Sequence, residues 1–131
     1  MPWSEILAVG GGAAVGAWMR WGLGIALNPL FPTVPLGTLA ANLIGGLLMG
    51  CAMELLTRHA VLPPEAQLLV TTGFLGGLTT FSTFSGEVVT LLLRREWLWG
   101  SLTIGGHVVG SIAMTIVGIL MIRGLYSWGG S

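Results

Sequence analysis

Lysine is absent from this 131-residue chain, and only 8% of its residues carry charge. Soluble domains carry roughly 25%. A chain so poor in charge cannot clothe a water-facing surface. Its 53% hydrophobic content and mean hydropathy of +0.88 point to the bilayer as its solvent. The formal net charge is zero, so there is no basic face to neutralise phosphates, which argues against nucleic acid as a partner. The single cysteine, Cys51, sits in an apolar run. It excludes an intrachain disulfide and a cysteine metal cluster, and reads as a small core residue. The N-terminus lacks a basic n-region, and Glu5 stands where a cleavable signal peptide needs positive charge. The first apolar stretch is therefore expected to stay as a membrane helix.

What is present is apolar length. A helix needs about 20 mostly apolar residues to span the hydrocarbon, and four stretches of the chain reach that length: 6–27, 36–56, 65–93 and 97–122. Together they predict one transmembrane domain over 1–131, of all-α class. The links are short. Asn28-Pro29-Leu30-Phe31-Pro32 is a breaker, Arg58 to Pro64 is a polar turn whose prolines can start the next helix, and Arg94-Arg95-Glu96 is a tight charged turn. Trp3, Trp18, Trp21, Trp97, Trp99, Tyr126 and Trp128 lie mostly near expected helix ends, as an interfacial aromatic belt does. Arg58 and Arg123 fall on one side, and Arg94, Arg95 and Arg20 on the other. That bias is too weak to fix one orientation, and an inverted pair of identical subunits is compatible with it. The 22 glycines include the pairs Gly12/Gly16, Gly46/Gly50, Gly73/Gly77 and Gly106/Gly110. Such spacing lets helix backbones approach closely in lipid and supports a tight bundle and an oligomer. A pore between subunits is then more plausible than one inside four helices. Gly10-Gly11-Gly12 is not a nucleotide loop, since no strand precedes it and no GxxxxGK follows.

The third span is the anomaly. Seven hydroxyl residues lie between Thr71 and Ser85, around Gly76-Gly77-Leu78-Thr79-Thr80. Two glycines followed by two threonines make a poor helix interior, and unwound backbone inside a membrane survives only where protein or a water-lined cavity satisfies it. A break here frees carbonyl oxygens, which are natural ligands for an alkali cation. The competing reading is an intact, glycine-rich packing helix whose hydroxyls bond back to it. Phe81 and Phe84, three apart, share a face and alternate with Ser82, Thr83 and Ser85. Phenylalanines in a membrane are ordinarily core or lipid-facing. Their electropositive edges also suit a path for a small anion that must be held weakly to be conducted.

Other polar groups sit in apolar surroundings. Asn42, one turn after Thr38, has an amide that is costly in hydrocarbon unless bonded; it either donates to an anion or glues helices. Thr103, His107, Ser111 and Thr115 form a spacing-four stripe on the last span, a rail for a permeant species or an interhelical seam. His107 can titrate, but no proton-relay partner is evident. Arg20 either snorkels to the interface or draws anions into a vestibule. Glu87 is a gate, a capping acceptor or an interfacial group, and spacing leaves all three open.

The segments GTLAANLIG (37–45), GFLGGLTTFSTFS (73–85), GAWMR (16–20) and HVVGS (107–111) resemble the Fluc/CrcB fluoride channels over essentially the whole chain. That resemblance implies four transmembrane helices with a broken third helix, assembled as an antiparallel dual-topology homodimer in the cell inner membrane with two fluoride pores. It implies pore phenylalanines at Phe81 and Phe84, a pore asparagine at Asn42, and a polar track including Ser82, Thr83, His107 and Ser111. It implies an acidic group beside the pore at Glu87, a vestibule cation at Arg20, and a structural Na+ held by carbonyls of Gly76 and Thr79. The implied activity is passive fluoride export: hydrogen fluoride enters uncharged, dissociates at the higher internal pH, and the trapped anion leaves through the channel. A small proton-coupled drug exporter is the alternative, but that class depends on a carboxylate deep in the first helix, where this chain has only Glu5 at the start and Arg20. An assembly subunit explains the glycine pairs but not the gathered hydroxyls and rings. No nucleophile–base pair or metal-ligand cluster suggests an enzyme.

Overall fold

The computed structural model describes residues 2–58 and 62–129; residues 59–61 of the expected turn between Arg58 and Pro64 lie outside them. All regular structure among the described residues is helical. Helix α1 (Trp3–Leu27) follows an extended Pro2 and ends in a 3-10 turn, Asn28–Leu30, where Pro29 stops propagation. The Asn28 Oδ1 accepts the Gly37 N–H at 2.7 Å. That bond satisfies an orphan donor in the first turn of α2 (Leu36–Arg58) and joins the two helices at one end.

Helix α3 covers residues 64–78. It starts as Pro64–Leu68, widens to π-helical geometry over Leu69–Leu75, and closes with Gly76–Leu78. Thr79 (φ −88°, ψ 154°) and Thr80 (φ −146°, ψ 122°) are extended. Helix α4 (Phe81–Leu93) then starts with Thr80 as its N-cap, the hydroxyl accepting the Thr83 N–H at 3.1 Å, a role threonine fills well. Arg95 turns the chain with φ 60° into α5 (Trp97–Gly129).

Helix α5 runs past the expected end at 122, and side-chain pairing accounts for it. The buried Glu54 Oε1 lies 3.2 Å from both Arg58 Nε and Arg123 Nε. The Arg58 guanidinium stands 4.7 Å over the Tyr126 ring. These contacts hold the last turns of α5 to the end of α2, and a partly desolvated cation over a ring adds to the attraction.

The closest packing is between α2 and α5, and between α1 and α3, and both rest on absent side chains. A Cβ at Gly50 would strike the Thr115 carbonyl, and one at Gly16 would strike the Phe74 carbonyl. Gly106 and Gly110 differ from the other expected pairs: they meet only the Leu39 and Leu43 side chains. Ala41, Leu75 and Leu78 form the buried centre, packed by Leu23, Leu48, Met49, Ala52 and Phe74. Helices α2 and α5 are long and apolar enough to cross a membrane, and α5 is scarcely buried. An apolar helix with its sides outward is a membrane element, not the core of a soluble fold. Helix α1 has the length, 25 residues, but its glycines and Arg20 dilute it. The expected 65–93 span is divided at Thr79–Thr80, leaving α4 only 13 residues.

Candidate functional site

The extended link at Thr79–Thr80 leaves backbone groups without helical partners, and α2 supplies one. Asn42 Oδ1 accepts the Thr80 N–H at 2.8 Å, and Asn42 Nδ2 donates to the Thr80 carbonyl at 3.0 Å. The same Nδ2 lies 2.9 Å from Nδ1 of His107 on α5. The buried His107 ring packs on Phe84 with centroids 4.5 Å apart and planes at 31°. Phe84 meets Phe81 edge-on at 5.5 Å and 70°. Phe81 is 77% exposed and Phe84 only 7%, so this line of contacts runs from the surface into the bundle.

Asn42, Gly76, Thr79, Thr80, Phe81, Phe84, His107 and Ser111 line one open groove of about 460 Å³. On the other side of Thr80, Arg20, Asn28, Thr38 and Thr83 line a recess of about 290 Å³, with Thr80 as the wall common to both. Arg20 Nε donates to the Gly77 carbonyl at 3.1 Å, so the guanidinium is anchored at the C-terminal end of α3, where the helix dipole favours a cation.

The other expected residues are placed differently. Thr38 Oγ1 donates to Glu87 Oε2 at 2.6 Å, while Glu87 Oε1 is buried without a partner among the described residues. Glu87 and Ser82 line neither recess; Ser82 Oγ is exposed, 3.4 Å from Thr80 Oγ1. The spacing-four stripe divides. Thr103 and Thr115 donate to carbonyls of their own helix, Trp99 and Ser111, at 2.8 and 3.0 Å, whereas the His107 side chain engages another helix through Asn42. Thr79 Oγ1 also bonds back, to the Leu75 carbonyl at 2.8 Å.

The sequence marks Thr80 only as part of the expected break, not as a residue of the site, although both recesses meet at it. Its signal is nonetheless there: a threonine directly before an apolar helical run reads as an N-cap. Sequence reasoning misses Glu54 too, despite the i,i+4 spacing to Arg58 that announces a pair.

A helical bundle with an apolar exterior and a groove lined by a fixed amide, an imidazole, hydroxyls and two phenyl rings is a membrane-protein architecture with a polar cleft in it. Among the described residues no cluster of His, Cys, Asp or Glu is able to hold a metal. The chain belongs to the CrcB family: the family model described as CrcB-like protein, Camphor Resistance (CrcB), matches residues 7–119. It is similar to the fluoride-specific ion channel FluC of Nitrosospira multiformis, 59% identical over 120 residues, covering 92% of this chain and 94% of the relative. It is likewise similar to the fluoride-specific ion channel FluC of Thiobacillus denitrificans, 58% identical over 120 residues, with coverage of 92% and 97%. The same-named protein of Aromatoleum aromaticum is 57% identical over 112 residues, covering 86% of each chain. This is a family of ion channels and not of enzymes.

Proposed function

We propose that this chain is a fluoride-selective passive channel that exports cytoplasmic fluoride and so lowers its toxicity. The observation that carries the reading is the groove itself, which gathers two phenyl rings, an imidazole and a hydroxyl at Phe81, Phe84, His107 and Ser111 around Asn42, whose own amide hydrogens go to Thr80 and His107 and so set the groove's shape, in a chain whose close relatives are named fluoride channels. Fluoride is small and strongly hydrated. To enter, it must exchange water for donors that hold it weakly enough to let it leave. Ring edges and neutral N–H and O–H groups do this, whereas a lysine would trap the anion. Thr83 on α4 adds a hydroxyl to the neighbouring recess, and Arg20 concentrates anions there. Glu87, packed on Thr38, stands beside the path.

In this reading the protein is a multi-pass protein of the inner membrane. Helices α1, α2 and α5 are spans, and α3 with α4 forms a third span broken at Thr79–Thr80. Two copies insert antiparallel as a homodimer and form two pores, because the groove is open on one side of the single chain. In this reading a structural Na+ sits at the break. Gly76 is exposed, with nothing but the Thr71 carbonyl within 4 Å of the place a Cβ would take. The Thr79 carbonyl accepts no hydrogen bond among the described residues, and carbonyl oxygens are the hard donors alkali ions take. Bound there, the cation would hold the two breaks together and lend positive charge to the anion's surroundings.

Liposomes containing only this protein and sodium salts provide the test. Fluoride efflux with little chloride efflux is expected; equal rates for the two anions would reject the proposal. Accessibility of a C-terminal tag on both membrane faces is expected of dual topology, and strict one-sided labelling would exclude it.

A further inference from the structure

The hydrogen bonds of the groove determine which nitrogen of His107 carries a proton. Thr80 N–H can only donate, so the atom of Asn42 facing it at 2.8 Å is Oδ1, and the NH2 group is the one left for the Thr80 carbonyl and for His107 Nδ1, at 3.0 and 2.9 Å. Nδ1 therefore accepts. A neutral imidazole that accepts at Nδ1 carries its hydrogen on Nε2, and a doubly protonated ring would set two donors against each other at that distance. Phe84 covers one face of the ring at 4.5 Å, which restrains it from turning.

The consequence is a buried N–H with nothing to donate to. His107 is 3% exposed, and its Nε2 has no partner among the described residues. Buried donors are almost always satisfied, by protein, by an ordered water or by a ligand, so this one marks a place for a small polar guest. Among the described residues His107 alone lines both the groove and a second recess, of about 190 Å³, whose other lining side chains are mainly apolar apart from Thr103 and include Phe31 and Trp99, in edge contact at 5.3 Å. Thr103 brings no free donor there, since its hydroxyl hydrogen is given to Trp99.

We propose that the Nε2–H of His107, held in that tautomer by Asn42, is a hydrogen-bonding site for a small anion on the wall between the groove and the apolar recess. The identity of the anion as fluoride rests on the channel reading above. A neutral N–H is well matched to such an ion, because it binds by one directed bond and adds no full charge to hold it.

The experiment uses the full chain with His59→Gln, so that His107 is the only imidazole. The protein carries ¹⁵N-labelled histidine, is reconstituted in sodium-loaded liposomes, and is examined by solid-state ¹⁵N and ¹⁹F NMR. The expected result is a ring protonated at Nε2 and bare at Nδ1. Sodium fluoride should shift Nε2 and its proton and allow magnetisation transfer from ¹⁹F to that proton, while Nδ1 stays put and sodium chloride does neither. A proton on Nδ1, or an Nε2 that ignores fluoride in vesicles that release fluoride, would overturn the site and leave the channel standing. A fluoride-dependent Nε2 shift in vesicles that do not release fluoride would support the site and reject the channel.

Discussion

The carboxamide of Asn42 takes the place of the helical partners that Thr80 lacks, accepting its N–H at 2.8 Å and donating to its carbonyl at 3.0 Å. This two-bond pairing is what a neighbouring strand would offer an extended residue, here given by one side chain across two helices. It makes the link between α3 and α4 a built element of the site, and it couples that link to His107 through the remaining amide hydrogen.

Asn42→Ala should therefore do more harm than the loss of one side chain. It leaves both polar groups of Thr80 without their partner, at a cost of roughly 1–3 kcal/mol for each group that stays buried. A fall in the unfolding temperature in detergent and at least a tenfold loss of fluoride flux are expected, tenfold being about 1.4 kcal/mol. Asn42→Asp keeps the Thr80 N–H bond but has no hydrogen to donate, so the His107 proton should move to Nδ1, as ¹⁵N spectra would show. Wild-type flux in both variants would mean that the link does not need its clamp.

Phe81 and Phe84 should separate in stability while acting together in flux. Phe84 is buried on His107 and Phe81 is exposed. Phe84→Ala is expected to cost roughly 3–5 kcal/mol, as for a large ring removed from a packed interior. Phe81→Ile should stay within about 0.5 kcal/mol, as exposed substitutions do. Both remove a ring edge, and both should slow fluoride efflux. Thermal unfolding run beside efflux distinguishes the cases; a Phe81→Ile protein that is stable and conducts at the wild-type rate would remove that ring from the path.

Arg95 holds φ 60° so that its N–H reaches the Leu92 carbonyl at 3.0 Å and that of Glu96 reaches the Leu91 carbonyl at 2.9 Å, closing the end of α4. A left-handed conformation costs an ordinary residue roughly 1–2 kcal/mol, and glycine is spared that cost. Glycine also loses more freedom on folding, so Arg95→Gly is expected to stabilise by a net of about 0.5–1 kcal/mol. The site is remote from the groove, and fluoride flux per channel should not change.

How much of this is legible in the sequence varies residue by residue, for physical reasons. Breakers are local, so the C-terminal end of α1 and the Arg94–Glu96 turn can be read from proline, asparagine and charge, whereas the start of α1 at Trp3 lies three residues before the expected 6. The hydroxyl stripe on the last span can be seen but not interpreted: a threonine in a helix satisfies itself on its own backbone or reaches across, and Thr103 and Thr115 take the first course. Phe81 and Phe84 share a face by spacing, yet only packing decides that one is buried and the other is not. The π-helical stretch Leu69–Leu75 has no sequence signal; it lies where α1 comes backbone to backbone with α3 at Gly12 and Gly73, and a tertiary approach of that kind is invisible to periodicity. The reach of α5 to Gly129 depends on Glu54, a single carboxylate whose partner Arg123 is distant in the chain.

The adjacent glycines at the end of α3 look interchangeable in the sequence and are not so in the fold. A Cβ on Gly77 would run into the backbone of Ala13, with the Ala13 Cα at 2.9 Å, whereas one on Gly76 would meet nothing closer than the Thr71 carbonyl at 3.9 Å. Gly77 thus seats α1 against α3, and its carbonyl also receives Arg20 at 3.1 Å; Gly77→Ala must push two backbones apart and should destabilise the single chain, by about 1–3 kcal/mol as overpacking does. Gly76→Ala has room, and in a helix it gains roughly 0.5–1 kcal/mol from the lost freedom of glycine, so the single chain should be unharmed. If Gly76 faces a second copy and a shared Na+, the added methyl acts there instead. The dimer should then dissociate at lower detergent dilution, and its stability should respond less to replacing Na+ with a larger cation. Dilution series followed by cross-linking, in Na+ and in its absence, measure both effects. A Gly76→Ala protein that dimerises and responds to Na+ like the wild type would place the partner contact and the cation away from this end of α3.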